Sequence, residues 1–239
     1  MKKIHYLFYF CLLFSCKHDV LNKKETPFDD LEKLEESGNI ASLSNVKISN
    51  DFENWLITNG YSNYNFTRND ISGGSFGGKK NASQLIKKQP VIFIHGNGDK
   101  ATGTIFGQNG WTKSINYFKS KGYTNDELYA TTWGDANMSN AAQKYHSKAY
   151  LLYVRKFIEA VLDYTDAEKV DIITHSMGVT LTRKAIKGGA AFDDVENVFF
   201  DLGMPLTNKI DAFVGIAGAN KGLTSCYVTN GNTPTCNRI

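Results

Sequence analysis

The chain alternates between short, unbroken apolar runs and segments in which apolar side chains recur at helical spacing. The apolar runs are rich in β-branched and aromatic residues, which favour strands. They are continuous rather than alternating, and this is typical of strands buried on both faces of a parallel sheet. The predicted strands are 91–94, 128–133, 170–174 and 212–217.

Four helices are predicted before or between these strands. Apolar residues recur at i, i+3, i+4 and i+7 through 150–162, and three shorter segments end close to a glycine, which is a helix stop signal. The shorter helices are 52–61, 111–122 and 179–186. Because strands that alternate with helices require crossover connections, the sequence predicts an α/β fold with a mostly parallel sheet flanked by helices.

The first residues have a different pattern. A positive start, Met1-Lys2-Lys3, precedes an almost wholly apolar segment that is too short to span a bilayer. We predict a secretory signal peptide at 1–16, a polar linker or arm at 17–50 and the folded domain at 51–239. A buried N-terminal strand is one alternative, and a lipoprotein signal with Cys16 as the lipidated residue is another. No other segment is long enough for a stable membrane span.

The composition is that of a globular protein. Of 239 residues, 41% are hydrophobic and 13% aromatic, which is enough apolar material for a sizeable core and excludes global disorder. Only 4 prolines and no sustained repeat exclude a collagen-like or coiled-coil chain. The net charge of +3 is small and the cations are scattered among acids, so a nucleic-acid partner is not expected.

The positions of the four cysteines are consistent with an exported protein. Cys11 and Cys16 lie in or at the end of the signal, which leaves Cys226 and Cys236 in the mature chain. Two cysteines ten positions apart in a polar, Gly-containing segment, in an oxidising compartment, predict a disulfide; two free thiols are the alternative. Three Asn-x-Ser/Thr sequons, which matter only in a eukaryotic source, start at Asn65, Asn81 and Asn137.

The segment 73–80 nearly spells a phosphate-binding P-loop but lacks two of its features. Lys80 stands where a magnesium-binding Ser or Thr is needed, and no apolar strand leads into the segment. We therefore predict a flexible or tightly turned loop without a bound nucleotide. No pair of histidines or cysteines has zinc-ligand spacing, so no metal site is predicted.

The segment Thr174-His175-Ser176-Met177-Gly178 lies where a predicted strand meets a helix. A G-x-S-x-G nucleophile elbow needs this placement, because it holds a serine on a strained turn with the hydroxyl exposed at the carboxyl end of the sheet. The small flanking residues let strand and helix approach closely. Thr174 departs from the first glycine of the motif, and an ordinary βα turn is the alternative interpretation.

A second motif, His95-Gly96-Asn97-Gly98-Asp99, directly follows the strand 91–94. Its turn can present a backbone N–H to the oxyanion of a tetrahedral intermediate. The residue after the serine, Met177, can supply a second N–H. Either motif alone is compatible with an ordinary βα turn, but the two in this order are what a serine esterase requires.

At these residues the sequence resembles the class 2 lipases of the α/β-hydrolase superfamily and their relatives, the secreted polyhydroxyalkanoate depolymerases. The strongest blocks are 90–99, 170–179 and 216–223, the last followed by Cys226. The resemblance implies an α/β-hydrolase fold and a secreted serine carboxylic-ester hydrolase that acts on lipid esters through an acyl-enzyme, with no cofactor. A polyester depolymerase and a non-catalytic lipid-binding protein are the alternatives.

The resemblance also implies roles for individual residues. Ser176 is then the nucleophile, and the N–H groups of Asn97 and Met177 form the oxyanion hole. The first elbow glycine is commonly alanine in small lipases of this kind, so a side chain at Thr174 is compatible with the family. His95 lies on the oxyanion turn, where its implied role is structural. The implied disulfide joins Cys226 and Cys236.

The acid and base of the family are not found at their expected places. Class members use the order Ser, Asp, His, but no histidine follows Ser176. His175 adjoins the nucleophile and is expected to point away from it, and His146 is expected to be a surface or hydrogen-bonded residue. The later acids all precede the predicted strand 212–217; they are Asp193, Asp194, Glu196, Asp201 and Asp211.

Three interpretations of this gap remain. The sequence is an incomplete lipase, or it is a short protein that binds lipid or ester without turnover, or it is an enzyme with an unusual base such as His146. Under the first, we expect no histidine within about 3.2 Å of the Ser176 hydroxyl. We also expect the sheet to end at an uncovered edge after the strand 212–217.

Overall fold

The computed structural model of the chain describes residues 47–105, 107–228 and 233–236, all within the compact unit Ile40–Ile239. The predicted signal peptide and residues 17–46 of the predicted arm lie outside the described residues. Ile48, which the sequence analysis assigns to the arm, is buried in the core and pairs with Gly77 in an isolated β-bridge. The folded domain therefore includes residues before position 51.

Nine strands and five α-helices form within the described residues. The strands are β1 (Ser75–Phe76), β2 (Val91–Ile94), β3 (Thr102–Ile105), β4 (Gln108–Gly110), β5 (Leu128–Thr131), β6 (Val170–His175), β7 (Ala190–Asp193), β8 (Val198–Asp201) and β9 (Ile210–Ile216). The helices are α1 (Asn50–Thr58), α2 (Thr112–Ser120), α3 (Lys148–Thr165), α4 (Met177–Lys187) and α5 (Thr224–Val228). Short 3₁₀ helices lie at Ser62–Tyr64, Met138–Gln143, Thr207–Lys209 and Pro234–Cys236.

A five-stranded sheet in the order β1-β5-β2-β6-β9 forms the centre of the domain. Strands β5, β2, β6 and β9 run parallel, and β1 pairs antiparallel with β5 at one edge. The opposite edge of the described sheet is β9, on which Val214 and Ile216 are 46% and 45% exposed. The predicted mostly parallel sheet of the α/β-hydrolase type is thus confirmed.

Helices cover both faces of this sheet, which explains why the strand sequences are apolar without alternation. On one face, Ile92 and Ile94 of β2 belong to a cluster with buried residues of α1, α3 and α4. On the other face, Val91 and Phe93 of the same strand pack with Ile115 of α2. The alternation of β2 side chains between two apolar layers fixes this strand at the centre of the domain.

The ends of several elements differ from the prediction. Helix α3 begins two residues earlier than expected, since Ser147 caps it and accepts a hydrogen bond from the Tyr150 N–H at 3.2 Å. Strand β5 ends at Thr131 rather than at residue 133. Strand β9 begins at Ile210, so Asp211 lies within this strand and not before it as the sequence suggested.

The glycine-rich segment 73–80 is not simply a loop. It contains β1, whose two residues are completely buried. Gly77 follows with φ +113°, and a Cβ there would lie 2.2 Å from the Leu128 carbonyl oxygen. The glycines therefore let this backbone pack closely on β5, and the prediction of a flexible or tightly turned loop is wrong for Ser75–Phe76. The hairpins β3–β4 and β7–β8 were also not predicted.

The predicted disulfide between Cys226 and Cys236 is confirmed. Their Sγ atoms are 2.06 Å apart and their Cα atoms 5.3 Å apart, inside the usual range for a disulfide. It joins α5 to the 3₁₀ helix Pro234–Cys236. Within the described part of the chain, no helix combines the length and the apolar character that crossing a membrane requires.

Candidate active site

Ser176 lies between the end of β6 and the start of α4, where the sequence analysis places it. Its backbone has φ 53° and ψ −128°, a region that residues with a side chain rarely occupy and that costs about 1–3 kcal/mol. The residue is partly exposed. A strained turn at this point directs the hydroxyl out of the sheet edge rather than along the strand.

Two glycines bring the two predicted motifs into contact. A Cβ on Gly178 would lie 2.4 Å from the carbonyl oxygen of His95, and a Cβ on Gly96 would lie 3.0 Å from the Cβ of Ser176. Neither position has room for a side chain. The first turn of α4 and the loop after β2 therefore pack backbone against backbone at the serine.

Thr174 replaces the first glycine of the elbow motif without obstructing this approach. It is completely buried, and its hydroxyl donates a hydrogen bond to the Val214 carbonyl oxygen at 3.2 Å. The side chain thus joins β6 to the neighbouring strand β9. A hydroxyl-bearing residue is accommodated here because it has a backbone acceptor on the adjacent strand.

His95 is a buried residue of the loop after β2, and both of its ring nitrogens have partners. Nδ1 lies 2.7 Å from the Gly96 carbonyl oxygen, and Nε2 accepts the backbone N–H of Trp133 at 3.1 Å. The indole ring of Trp133 stacks on the imidazole and donates its Nε1–H to the His95 carbonyl oxygen. Burial lowers the pKa of His95 to about 4, so the ring is neutral at physiological pH.

A side-chain hydrogen bond holds the loop that carries Asn97. The Asn97 side-chain amide donates to the Ala141 carbonyl oxygen at 2.9 Å, which ties the loop to the 3₁₀ helix Met138–Gln143. Met177 is the first residue of α4, so its backbone N–H has no intrahelical acceptor. The assignment of the backbone N–H groups of Asn97 and Met177 to an oxyanion stays a prediction of the sequence analysis.

A cavity of about 700 Å³ brings these residues together. Asn97, Ser176 and Met177 line it, as the sequence analysis expects, and so do both cysteines of the disulfide. His146, named in the sequence analysis as a possible unusual base, also lines this cavity, together with Thr180 and Lys184, which were not singled out. Thr180 and Lys184 follow Ser176 by one and two helical turns, so the periodicity of α4 was an available signal.

The described histidines do not contact the Ser176 hydroxyl. Both ring nitrogens of His95 have other partners. His175 is the residue before the serine, and its side chain is exposed. The Nε2 atom of His146 lies 2.8 Å from the Thr180 hydroxyl, and burial lowers the pKa of this imidazole below its ordinary value. Among the described residues, no hydrogen bond reaches the hydroxyl of Ser176, and no group of three potential metal ligands occurs.

Two of the later acids that the sequence analysis considered, Asp193 and Asp211, have partners other than the serine. The carboxylate of Asp193 accepts the backbone N–H groups of Lys148, Val195 and Glu196. Asp211 lies 3.7 Å from the ammonium group of Lys169. These contacts order the start of α3, the β7–β8 turn and the start of β9.

Two comparisons with known proteins find similarities to this chain. Residues 88–239 match the protein family described as Lipase (class 2). Among solved structures, the crystal structure of Aspergillus fumigatus lipase B is similar to this chain with a TM-score of 0.36 and 16% sequence identity. The similarity covers 61% of this chain and 28% of the fungal protein, so the chain matches under a third of that lipase's length.

Proposed function

Because this chain belongs to the class 2 lipase family, we propose that it is a secreted serine hydrolase that cleaves lipid esters through an acyl-enzyme. The strained turn at Ser176 is the main support for this mechanism. Ser176 directly precedes Met177, whose N–H has no acceptor within α4, and it lines the same cavity as Asn97. A nucleophile and backbone N–H donors to the oxyanion are the groups that acyl transfer requires.

In the proposed reaction, the Ser176 oxygen attacks the ester carbonyl carbon and its proton passes to a general base other than the described histidines, none of which is hydrogen-bonded to the serine hydroxyl. The carbonyl oxygen becomes an oxyanion and accepts hydrogen bonds from the N–H groups of Asn97 and Met177. The tetrahedral intermediate then expels the alcohol, which takes up the proton. Water attacks the resulting acyl-enzyme by the same route and releases the carboxylic acid.

The two N–H groups and the start of α4 contribute most of the stabilisation in this scheme. Removing one oxyanion donor typically lowers kcat by about 10²–10³-fold. The positive end of the α4 dipole also favours negative charge at this point. Both effects require that the first turn of α4 stays fixed against the loop after β2, which is the function of the close contact at Gly178.

Secretion is supported by the disulfide and by the pattern of the first 16 residues. Disulfides form and persist in oxidising compartments, which agrees with an exported protein. Expression in a secreting host followed by N-terminal sequencing tests this directly. A mature protein in the medium that begins at or near residue 16 or 17 is expected, whereas retention of Met1 on an intracellular protein contradicts it.

Covalent labelling of the serine tests the mechanism. We expect a fluorophosphonate to modify Ser176, as peptide mass spectrometry would show, and Ser176→Ala to abolish both this modification and the hydrolysis of a p-nitrophenyl ester series. Ser120→Ala, at the exposed end of α2, is the matched control and is expected to behave as the wild type. Hydrolysis that survives Ser176→Ala, or lipid binding with no labelling at Ser176, contradicts the proposed enzyme.

A further inference from the structure

His146 joins two helices at the candidate active site. It immediately precedes Ser147, the cap of α3, and its side chain reaches across to α4, where Nε2 lies 2.8 Å from the Thr180 hydroxyl. That hydroxyl donates a hydrogen bond to the Met177 carbonyl oxygen at 3.1 Å. A continuous chain of hydrogen bonds thus runs from His146 to the residue after the serine.

The two bonds together define the protonation of the imidazole. A threonine hydroxyl has one hydrogen, and here it is donated to the Met177 carbonyl oxygen. The His146 Nε2 atom must therefore carry a hydrogen and donate it to the Thr180 oxygen. The bond then assigns the Nε2–H tautomer to this ring.

The contact between His146 and Thr180 lies on the first turn of α4, the turn that carries the Met177 N–H. Met177 and Thr180 belong to the first turn of the helix, which starts directly after Ser176. Helix ends normally fray because their backbone groups lack intrahelical partners. An external side chain that fixes the Thr180 rotamer and the Met177 carbonyl group restrains this turn.

We propose that His146 is a positioning residue of the oxyanion hole, which acts through the Thr180 hydroxyl to hold the Met177 N–H at the ester oxygen. This inference rests on the proposed function. His146 lines the same cavity as Ser176 but is bonded to Thr180 and not to the serine. It therefore acts on the geometry of the donor and does not itself accept the serine proton.

The expected loss of kcat follows from how far the Met177 N–H can move when the contact is removed. Loss of the contact leaves the Met177 N–H present but free to shift, and a misplacement of about 1 Å can cost about 100-fold in rate. We expect His146→Ala and Thr180→Val to lower kcat by about 10- to 100-fold with KM changed by less than about 2-fold. The double variant is expected to lose no more than either single variant, because both remove the same chain of bonds.

The same helix offers a matched control. Thr182 is completely buried and its hydroxyl has no hydrogen-bond partner among the described residues. Thr182→Val therefore repeats the Thr-to-Val change two residues along α4 without removing a contact, and kcat is expected to stay at the wild-type value. His146→Gln supplies a rescue, because its side-chain amide can donate to the Thr180 oxygen, and it is expected to recover most of the lost kcat.

A second measurement does not depend on turnover. The Leu181 N–H is the i+4 donor to the Met177 carbonyl in α4, so its hydrogen exchange reports opening of the first turn. We expect exchange to accelerate by about 3- to 10-fold in His146→Ala and Thr180→Val, the factor that corresponds to one hydrogen bond. Thr182→Val and His146→Gln are expected to leave the exchange rate close to that of the wild type.

The outcomes separate this inference from the proposed function. Wild-type kcat and Leu181 exchange in Thr180→Val would overturn the positioning role. So would a complete loss of activity in His146→Ala that Thr180→Val does not share, since His146 would then be the proton acceptor. If the wild type shows neither hydrolysis nor labelling at Ser176, the proposed function fails, and His146 has no catalytic donor to position whatever the exchange data show.

Discussion

Replacement of Gly178 by alanine is the sharpest test of how the two motifs are joined. Gly178 is a helical residue of α4 without a positive φ, so local backbone preference favours alanine by up to about 1 kcal/mol. The tertiary structure predicts the opposite sign. A Cβ at this position would lie 2.4 Å from the His95 carbonyl oxygen and 3.0 Å from that of Ile94.

The size of the destabilisation by Gly178→Ala follows from these distances. An ordinary contact begins at 3.4 Å, so the first turn of α4 and the loop after β2 must separate by about 1 Å. Both contacts are to backbone atoms, which cannot rotate away. Overpacking of this kind typically costs about 1–3 kcal/mol, which exceeds the helical preference for alanine. The same displacement moves Ser176 relative to the Asn97 N–H and is expected to lower kcat/KM by about 100-fold.

Urea unfolding followed by circular dichroism measures the free energy of unfolding. The kcat/KM of p-nitrophenyl ester hydrolysis, or the rate of fluorophosphonate labelling, measures the reactivity of Ser176. Lys187→Ala, an exposed change on the same helix, is the control and is expected to alter stability by less than about 0.5 kcal/mol. A Gly178→Ala protein that is as stable and as reactive as the wild type would refute the close packing of the two motifs.

Three further predictions concern strain, the disulfide and pH. Ser176→Gly should be more stable to urea than Ser176→Ala by about 1 kcal/mol, because glycine tolerates φ 53°; equal stabilities would argue against strain. Reduction of Cys226–Cys236 should lower the free energy of unfolding by about 2–3 kcal/mol, and an unchanged urea midpoint with reductant would contradict this. Because burial lowers the pKa of His95 from 6.5 to about 4, the unfolded state binds more protons in this window. The free energy of unfolding should be fully retained above pH 6.5 and fall by about 3 kcal/mol towards pH 4, and His95→Asn should flatten that slope.

The central strands are predictable from the sequence, because burial on both faces of the sheet requires a continuous run of apolar residues. Strand β2 is predicted with the bounds observed, and the other parallel strands differ from their predicted bounds by one or two residues at their ends. The boundary differences at α3 and β9 come from caps and neighbouring strands, which apolar periodicity does not report. The glycine-rich segment 73–80 was misjudged for a related reason, since a strand such as β1 at the edge of a sheet carries too few apolar residues to show a pattern.

What the sequence determined by itself is therefore local: the order of strands and helices, the serine at a βα junction, the His-Gly turn and the paired cysteines. Tertiary structure alone decided that Gly178 packs on His95 and Gly96 on Ser176, because the order β5-β2-β6 sets the two βα turns side by side at one sheet edge. It also placed His146 against Thr180 through the packing of α3 beside α4. Such contacts join residues that are remote in the chain and share no periodicity. They depend on the pairing of strands and the docking of helices, which the local alternation of apolar and polar residues does not encode.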